Sequence, residues 1–479
     1  MRSAKELLVG YGFTPLTGGM FLLGLFGLSS ALAQDPKAPG VSMTRPDEVL
    51  ATHYSRYGHG STFVELPDGR ILHACGTSFM TSSDRGLTWS KSFKKNDTSG
   101  EPVGGGGSCL VKLSDRGIGL AAMRQDSKAK TPAERVWSNH IVFWRSEDGG
   151  ETWQPPVRVS PMGLASFCLQ DVALRTSTGR IVLPVYVAFG QRIGPDNQAI
   201  PVEGRLVNNQ FVSTGAHFHD PRFLAVYVLY SDDDGRTWKR NQDDLLYILN
   251  DWNSNFDRVA EPSVAEVAPG RLLMILRTGN GRLYQAWSEN NGETWTRPSP
   301  TSLAATETPA QIRRLPNGHL LIVWNQESEE EVRKGFNRTR ISAAISRNGG
   351  GIWEFFQNIS SMLPGTRVEP GPIHPVRPEQ VYVSPGKSAR VRDGSFLGDS
   401  DCWIRTSYPS VFVMSDRVLV AYTYSTYLED PVKGQLTSSG DQPGGFNQIL
   451  KVLPIRWFYG GKEPAENPTL QELYQPAKP

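Results

Sequence analysis

Six segments of the chain place turn residues directly before an alternating run of apolar residues. They cover residues 66–75, 113–124, 176–187, 268–277, 315–324 and 414–424. In each one, Gly, Asp, Asn or Ser precedes a short stretch rich in Ile, Leu and Val, which is the pattern of a tight turn followed by a β-strand. No comparable stretch has the apolar spacing of a long amphipathic helix. The pattern predicts an all-β protein built from short strands.

A second pattern, S-x-[D/N]-x-G-x-[T/I]-W, occurs five times. Its copies are SSDRGLTW, SEDGGETW, SDDDGRTW, SENNGETW and SRNGGGIW, which begin at Ser82, Ser146, Ser231, Ser288 and Ser346. We expect the Asp or Asn in the third place to bind backbone amides two residues further on. The Gly in the fifth place is expected to adopt a conformation that strains other residues. The Trp supplies a large apolar anchor. Five copies indicate a structural repeat.

The spacing of this repeat predicts the architecture. Consecutive copies are 64, 85, 57 and 58 residues apart, enough for one four-stranded sheet each, with insertions in the second and third intervals. Short strands that recur with a Trp-bearing turn in each unit are typical of a β-propeller. Six strand segments predict six blades, and seven blades are the alternative.

The N-terminal region has the pattern of an export signal. Arg2 and Lys5 precede the apolar stretch 20–28, and the small residues Ala31 and Ala33 follow it. This order is typical of a signal peptide cleaved after Ala33, and the apolar run is short for a membrane span, although a retained anchor is the alternative. We therefore expect export to the periplasm or the medium, with a signal peptide at 1–33, a propeller at 34–460 and a Pro- and charge-rich tail at 461–479.

Composition narrows the function classes further. With 38% hydrophobic residues, 20% charged residues and a net charge of +2, the chain has the composition of a globular protein, and nothing indicates binding to nucleic acid. No second segment is predicted to span a membrane. The cysteines lack metal-ligand spacing, so no metal site is predicted, and the disulfide state stays open for Cys75, Cys109, Cys168 and Cys402.

The eight-residue repeat is the Asp box, and with it the chain resembles the sialidase (neuraminidase) superfamily of six-bladed propellers over residues 50–460. Asp boxes also occur in non-enzymatic propellers, so they indicate the fold rather than the activity. The resemblance implies three arginines that hold a substrate carboxylate, a tyrosine nucleophile activated by a glutamate, and an aspartate as acid and base, with no cofactor. A tyrosine suits this chemistry because the substrate carboxylate would repel a carboxylate nucleophile.

Three segments match the family. The segment EPSVAEVAPGRLLMILR is similar to the family frame of glutamate, turn glycine and arginine, which implies an activating role for Glu261 and substrate binding by Arg277. The segment TSYPSVFVMSDRVLVAYTY resembles the one that presents the nucleophile, here Tyr408. The segment NRTRISAAIS leads into an Asp box and implies a second substrate-binding arginine at Arg340, with Arg338 as the alternative.

Two family residues have no counterpart. The first arginine of the family is replaced by His59, a side chain that can bind an anion or a hydroxyl group, and Arg56 lies close to it. The loop ACGTSFMT carries no carboxylate where the family has its acid. We predict Asp171 as a displaced acid, and the further candidates are Asp97, Asp220 and His73.

Three functions are compatible with these observations. The first is an exported exo-glycoside hydrolase that removes a terminal sialic acid from a glycan. The second is a hydrolase or lyase for another acidic sugar, such as a uronic acid. The third is a propeller that binds a glycan or a protein without catalysis. The missing arginine and aspartate favour the latter two functions, whereas the spacing of Glu261 and Arg277, which matches that of the family, favours an enzyme.

Overall fold

The structure of the protein is a computed structural model. It describes residues 42–43, 48–55, 60–126, 138–162, 166–189, 203–207, 210–215, 223–243, 245–249, 256–257, 259–278, 282–305, 308–326, 338–361, 403–429, 436–438 and 447–469. The predicted signal peptide, Arg56, His59, Asp220 and Cys402 lie outside these residues. Within them, no helix has the length and apolar character needed to cross a membrane.

The described strands form six sheets of three to five strands, which are the blades of the predicted six-bladed propeller. Blade 1 consists of Thr62–Glu65, Ile71–Cys75 and Ser78–Ser82. Blade 2 consists of Gly106–Lys112, Ile118–Arg124, His140–Ser146 and Val157–Arg158. Blade 3 consists of Ser166–Phe167 with Leu174–Arg175, followed by Ile181–Phe189, Phe223–Ser231 and Lys239–Arg240. Blade 4 consists of Ala260–Ala268, Arg271–Arg277, Arg282–Ser288 and Ser299–Ala304. Blade 5 consists of Gln311–Arg314, Leu320–Trp324, Arg340–Ser346, Glu354–Ser361 and Ser42–Met43. Blade 6 consists of Trp403–Val413, Arg417–Glu429 with Leu436–Ser438, Gln448–Pro454 and Ala51–Ser55.

Two insertions and two short helices complete the described elements. The insertions are two-stranded ribbons, Glu203–Val207 with Gln210–Gly215 and Ile248–Leu249 with Phe256–Asp257, and they lie in the second and third repeat intervals as predicted. The 3₁₀ helices are Ile455–Tyr459 and Pro464–Glu466.

The hydrophobic core is divided among the gaps between blades. Six clusters of buried side chains are present, one for each pair of neighbouring blades around the ring. The second strand of each blade is the apolar segment predicted from the sequence, and those of blades 1 and 5 are buried along their whole length. Blade 6 joins the two ends of the propeller, because its outer strand Ala51–Ser55 pairs with Gln448–Pro454.

Hydrogen bonds between first strands connect neighbouring blades around the channel of the propeller. In three places, a side chain on one first strand accepts the backbone N–H of the next blade. The pairs are Thr62 Oγ1 with Leu110 at 2.7 Å, Cys109 Sγ with Val172 at 3.4 Å and Ser263 Oγ with Ile312 at 3.1 Å. Ser410 Oγ donates to the carbonyl of Ser61 at 2.5 Å, which closes the ring between blades 6 and 1.

Each Asp box is a turn closed by its own side chains. In the first copy, Asp84 Oδ1 accepts the hydroxyl of Ser82 and the amide of Thr88, both at 2.8 Å. This amide lies four residues further on, rather than the two that the sequence predicted, because the turn is longer than a simple Asx turn. Burial opposes ionisation of Asp84, but these bonds outweigh it and lower its pKa to about 2. Asn290 and Asn348 accept the same amide in their copies.

Replacing Asp84 by Ala should lower the free energy of unfolding by about 1–2 kcal/mol, because the bonds to Ser82 and Thr88 are lost. The matched control Asp84→Asn keeps one acceptor oxygen, as Asn290 and Asn348 do, and should cost less. Urea unfolding measures both variants. Equal losses in the two variants would contradict the role assigned to the acceptor oxygen.

Candidate active site

Three residues predicted from the sequence meet across blades 4 and 6. Tyr408 Oη donates a hydrogen bond to Glu261 Oε1 at 2.9 Å. Arg277 donates to the other carboxylate oxygen, Oε2, at 2.5 Å. The side chain of Glu261 is 2% exposed and that of Arg277 is 17% exposed, so the carboxylate is enclosed and the guanidinium group retains access to solvent.

Glu261 and Tyr408 hold these positions because each lies in a β-bulge of a first strand, near the start of Ala260–Ala268 for Glu261 and in the middle of Trp403–Val413 for Tyr408. The pairing register shifts between Ala260 and Ser263 in blade 4 and between Ser407 and Ser410 in blade 6. A bulge breaks the regular alternation of side chains and redirects one of them. The same sequence, Pro-Ser-Val, follows both residues, at 262–264 and 409–411, and Pro is tolerated in strands mainly at such irregularities.

Both bulge residues have a left-handed backbone. The φ angle is 43° at Glu261 and 52° at Tyr408, a region that costs other residues than glycine of order 1–3 kcal/mol. Blade 2 has the equivalent register shift, and there the corresponding residue is Gly107, with a φ of 58°. Arg338, with a φ of 60°, is a third such residue at the site. Three of the eight non-glycine residues with positive φ in the described part of the chain therefore lie at the site.

The surroundings keep the phenol of Tyr408 protonated. Burial raises its pKa to about 12, and the negative charge of Glu261 acts in the same direction, against the weaker effect of Arg277 and Arg338. A buried phenol of this kind becomes nucleophilic when a base accepts its proton. Glu261 Oε1 is the acceptor already in contact with it.

Of the two arginines proposed on blade 5, the structure places Arg338 at the site. Its Cζ lies 5.7 Å from the centroid of the Tyr408 ring, and its guanidinium group lies 3.5 Å from Ser407 Oγ. Arg340 is fully buried and donates to the carbonyl of Gln326 at 3.1 Å. The two side chains, two residues apart, therefore have different surroundings.

A further arginine, Arg405, belongs to the same region and was not recognised in the sequence. Burial, together with the positive charges of Arg405 and Arg277, lowers the pKa of Arg338 to about 10. Arg405 is partly exposed and lies three residues before Tyr408. The short separation between Arg405 and Tyr408 along the chain is the feature of the sequence that could have indicated a role for Arg405 at the site.

Asp171 follows a residue that contacts the site, and its own carboxylate pairs with blade 5. The residue before it, Gln170, donates through its side chain to the carbonyl of Glu261 at 3.1 Å. The carboxylate of Asp171 forms an ion pair with Arg313 at 3.2 Å, and Arg313 also donates to its carbonyl at 2.9 Å. Burial raises the pKa of Asp171 to about 6, against the attraction of Arg313. The structure thus joins Asp171 to blade 5.

The other acid candidates within the described residues lie in structural networks. Asp97 accepts the amides of Ser99 and Glu101 and closes a turn. His73 is buried, which lowers its pKa to about 3, and its Nε2 lies 2.9 Å from Ser61 Oγ. His59, which was predicted to bind substrate, lies outside the described residues.

The raised pKa of Asp171 has a consequence for stability. A carboxyl group whose pKa is higher in the folded state stabilises the protein below its unfolded pKa of about 4, and this contribution is lost as the pH rises through about 6. The unfolding free energy of the wild type, relative to Asp171→Asn, should therefore fall by up to about 3 kcal/mol between about pH 4 and pH 7. Urea unfolding at several pH values measures this difference, and a constant value would contradict the assignment.

Comparison with known proteins identifies the family. Residues 128–420 match the BNR repeat-like domain. Among solved structures, the Hadza microbial sialidase Hz136 is 15% identical, with a TM-score of 0.49 over 86% of this chain and 67% of that chain. The NanB sialidase from Streptococcus pneumoniae is 13% identical, with a TM-score of 0.47 over 88% and 71%. The Penicillium chrysogenum alpha-L-arabinanase is 13% identical, with a TM-score of 0.45 over 84% and 97%. The family match covers more than half of the 479 residues, and the chain belongs to the BNR repeat-like domain family.

Proposed function

We propose that the protein is an exo-glycoside hydrolase that removes a terminal acidic sugar, in the first place a sialic acid, from a glycan. The observation that carries the proposal is the hydrogen bond of 2.9 Å from Tyr408 to a carboxylate that also binds Arg277. This arrangement supplies a nucleophile, a base and a cation within one site.

In the proposed reaction, Tyr408 Oη attacks the anomeric carbon and its proton passes to Glu261. The bond to the leaving-group oxygen breaks, and that oxygen takes up a proton. Water then attacks the anomeric carbon of the glycosyl-tyrosine and releases one proton to solvent, while the bond to Tyr408 Oη breaks and Glu261 returns its proton to the phenolate. The ion pair with Arg277 supports this role because it places a positive charge beside the carboxylate that is to accept the proton.

The acidic nature of the sugar is supported by the charges around the nucleophile. Arg277 and Arg338 both lie close enough to lower the pKa of Tyr408, so they stabilise negative charge at this place. Planar guanidinium groups also suit two-pronged binding of a carboxylate. Arg340, the first choice from the sequence, is fully buried, and we assign substrate binding on blade 5 to Arg338.

The acid role of Asp171 stays a prediction. Its raised pKa suits a group that must hold a proton near neutral pH. Its carboxylate, however, pairs with Arg313 of blade 5. The proposal therefore assigns the nucleophile and its base, and leaves protonation of the leaving group to solvent or to a residue outside the described ones.

A second candidate is a hydrolase or lyase that acts on a uronic acid. The position of the described cations favours it: Arg277, Arg338 and Arg405 lie on blades 4, 5 and 6, whereas the sialidase resemblance implies one arginine on blade 1. A carboxylate at a different ring position would suit such a shifted set of cations.

Tyr408→Phe should abolish release of the aglycone from an aryl sialoside or aryl uronide, because the phenyl ring has no nucleophilic oxygen. Glu261→Gln should lower kcat by about 10²–10⁴-fold, since the proton acceptor is lost. Tyr54→Phe, at a tyrosine that is 60% exposed, is the matched control and should leave the rate unchanged.

Steady-state kinetics with both substrate classes decide between the candidates. Turnover of the sialoside supports the first one, and turnover of the uronide alone supports the second. If the wild type at high concentration releases neither aglycone, the proposed glycosidase function is wrong and a binding propeller is favoured.

A further inference from the structure

The first strand of blade 6 brings a second cation to the site beside Arg338. The amide of Thr406 donates to the carbonyl of Arg338 at 2.6 Å, and its hydroxyl donates to the same carbonyl at 3.1 Å. Asn325 of blade 5 donates to the carbonyl of Thr406 at 2.8 Å. These bonds fix the segment before Tyr408 against blade 5, so the residues on either side of Thr406 have defined positions relative to Arg338.

The side chain of Arg405 lies on the same strand face as that of Ser407. Pairing with the second strand is regular from Trp403 to Ser407, and residues two apart in a regular strand share a face. Ser407 Oγ lies 3.5 Å from the guanidinium group of Arg338. The side chain of Arg405 is therefore directed to the side of the strand on which the guanidinium group of Arg338 lies. Along the chain, Arg405 is three residues before the proposed nucleophile Tyr408.

The position of Arg405 is unfavourable without a ligand. Its guanidinium group makes no hydrogen bond or ion pair with the described residues, and its charge repels that of Arg338. Two cations held together in a partly buried place are stabilised when an anion binds both of them. Arg405 remains partly exposed, so a ligand can reach it.

The opposite side of the site is built from backbone. Gly107 occupies in blade 2 the bulge position that Glu261 and Tyr408 occupy in blades 4 and 6. A Cβ atom on Gly107 would lie 1.6 Å from the carbonyl oxygen of Cys168, and one on Gly60 would lie 3.3 Å from the Cα of Gly107. At these two positions the backbone therefore leaves little or no room for a side chain.

We propose that Arg405 is a specificity-determining residue that binds the carboxylate of the sugar together with Arg338 and Arg277. The anion subsite then spans blades 4, 5 and 6, and Arg405 takes the role of the first arginine of the family, whose place in the sequence is held by His59. The inference rests on the proposed function for its ligand class, an acidic sugar. It goes further in naming the residue and the side of the site that select the negative charge.

Equilibrium binding tests this inference without turnover. The probes are N-acetylneuraminic acid and glucuronic acid, each compared with its uncharged methyl ester, and titration calorimetry on the full chain measures their affinity. In Arg405→Ala, the acid that binds the wild type should lose affinity by about tenfold or more, because a charge-assisted contact is removed, while the affinity for its ester stays unchanged. Arg405→Lys should lose less, since it keeps the charge but not the planar fork.

The matched control is Arg297→Ala, which removes an exposed arginine of blade 4 and should change no affinity. Circular dichroism and thermal unfolding establish that each variant is folded. The inference is overturned if Arg405→Ala binds the acid as the wild type does, if the ester loses as much as the acid, or if the wild type binds neither acid better than its ester. Failure of the wild type to cleave glycosides would instead count against the glycosidase function alone.

Discussion

The site depends on one buried carboxylate shared between two partners. Glu261 accepts the phenol of Tyr408 on one oxygen and the guanidinium group of Arg277 on the other. A buried carboxylate without a counter-ion is destabilising by several kcal/mol, so the ion pair with Arg277 offsets the cost of enclosing Glu261 beside the phenol. A neutral Glu261 could not take the proton of Tyr408, and the arrangement would have no nucleophile.

This interaction crosses the ring, and the fold is what holds it in place. Glu261 lies on blade 4 and Tyr408 on blade 6, with blade 5 between them. The hydrophobic clusters between blades and the pairing of Ala51–Ser55 with Gln448–Pro454 close the ring and hold the two strands at a constant separation. The left-handed backbone at both residues is unfavourable, and Gly107 marks the position in blade 2 where the same bulge occurs without that strain. The rest of the propeller therefore stabilises two strained residues.

Features encoded within one hairpin or one turn could be predicted from the sequence. The Asp boxes, the six apolar second strands, and the frame from Glu261 to Arg277 are all local, because two paired strands of one blade carry them. The Pro-Ser-Val sequence after Glu261 and Tyr408 was a further local signal, since it marks equivalent bulges.

Features that depend on contacts between blades could not be predicted in this way. Arg338 and Arg340 are two residues apart, and which of them faces the site depends on where the strand begins against blade 6. Arg405 becomes a site residue through Thr406, which binds Arg338 of another blade. The ion pair between Asp171 and Arg313 joins blades 3 and 5, and the spacing of these residues in the sequence does not indicate it.

Covalent trapping at Tyr408 tests the central claim most directly. An acidic sugar that carries a good leaving group and a neighbouring fluorine reacts quickly at the anomeric carbon, but its glycosyl-enzyme is hydrolysed slowly, because fluorine disfavours the oxocarbenium-like transition state. Mass spectrometry of the intact protein and of its peptides should find one sugar attached to Tyr408, and none in Tyr408→Phe. Attachment to another residue, or hydrolysis of this sugar by Tyr408→Phe at the wild-type rate, would contradict the account.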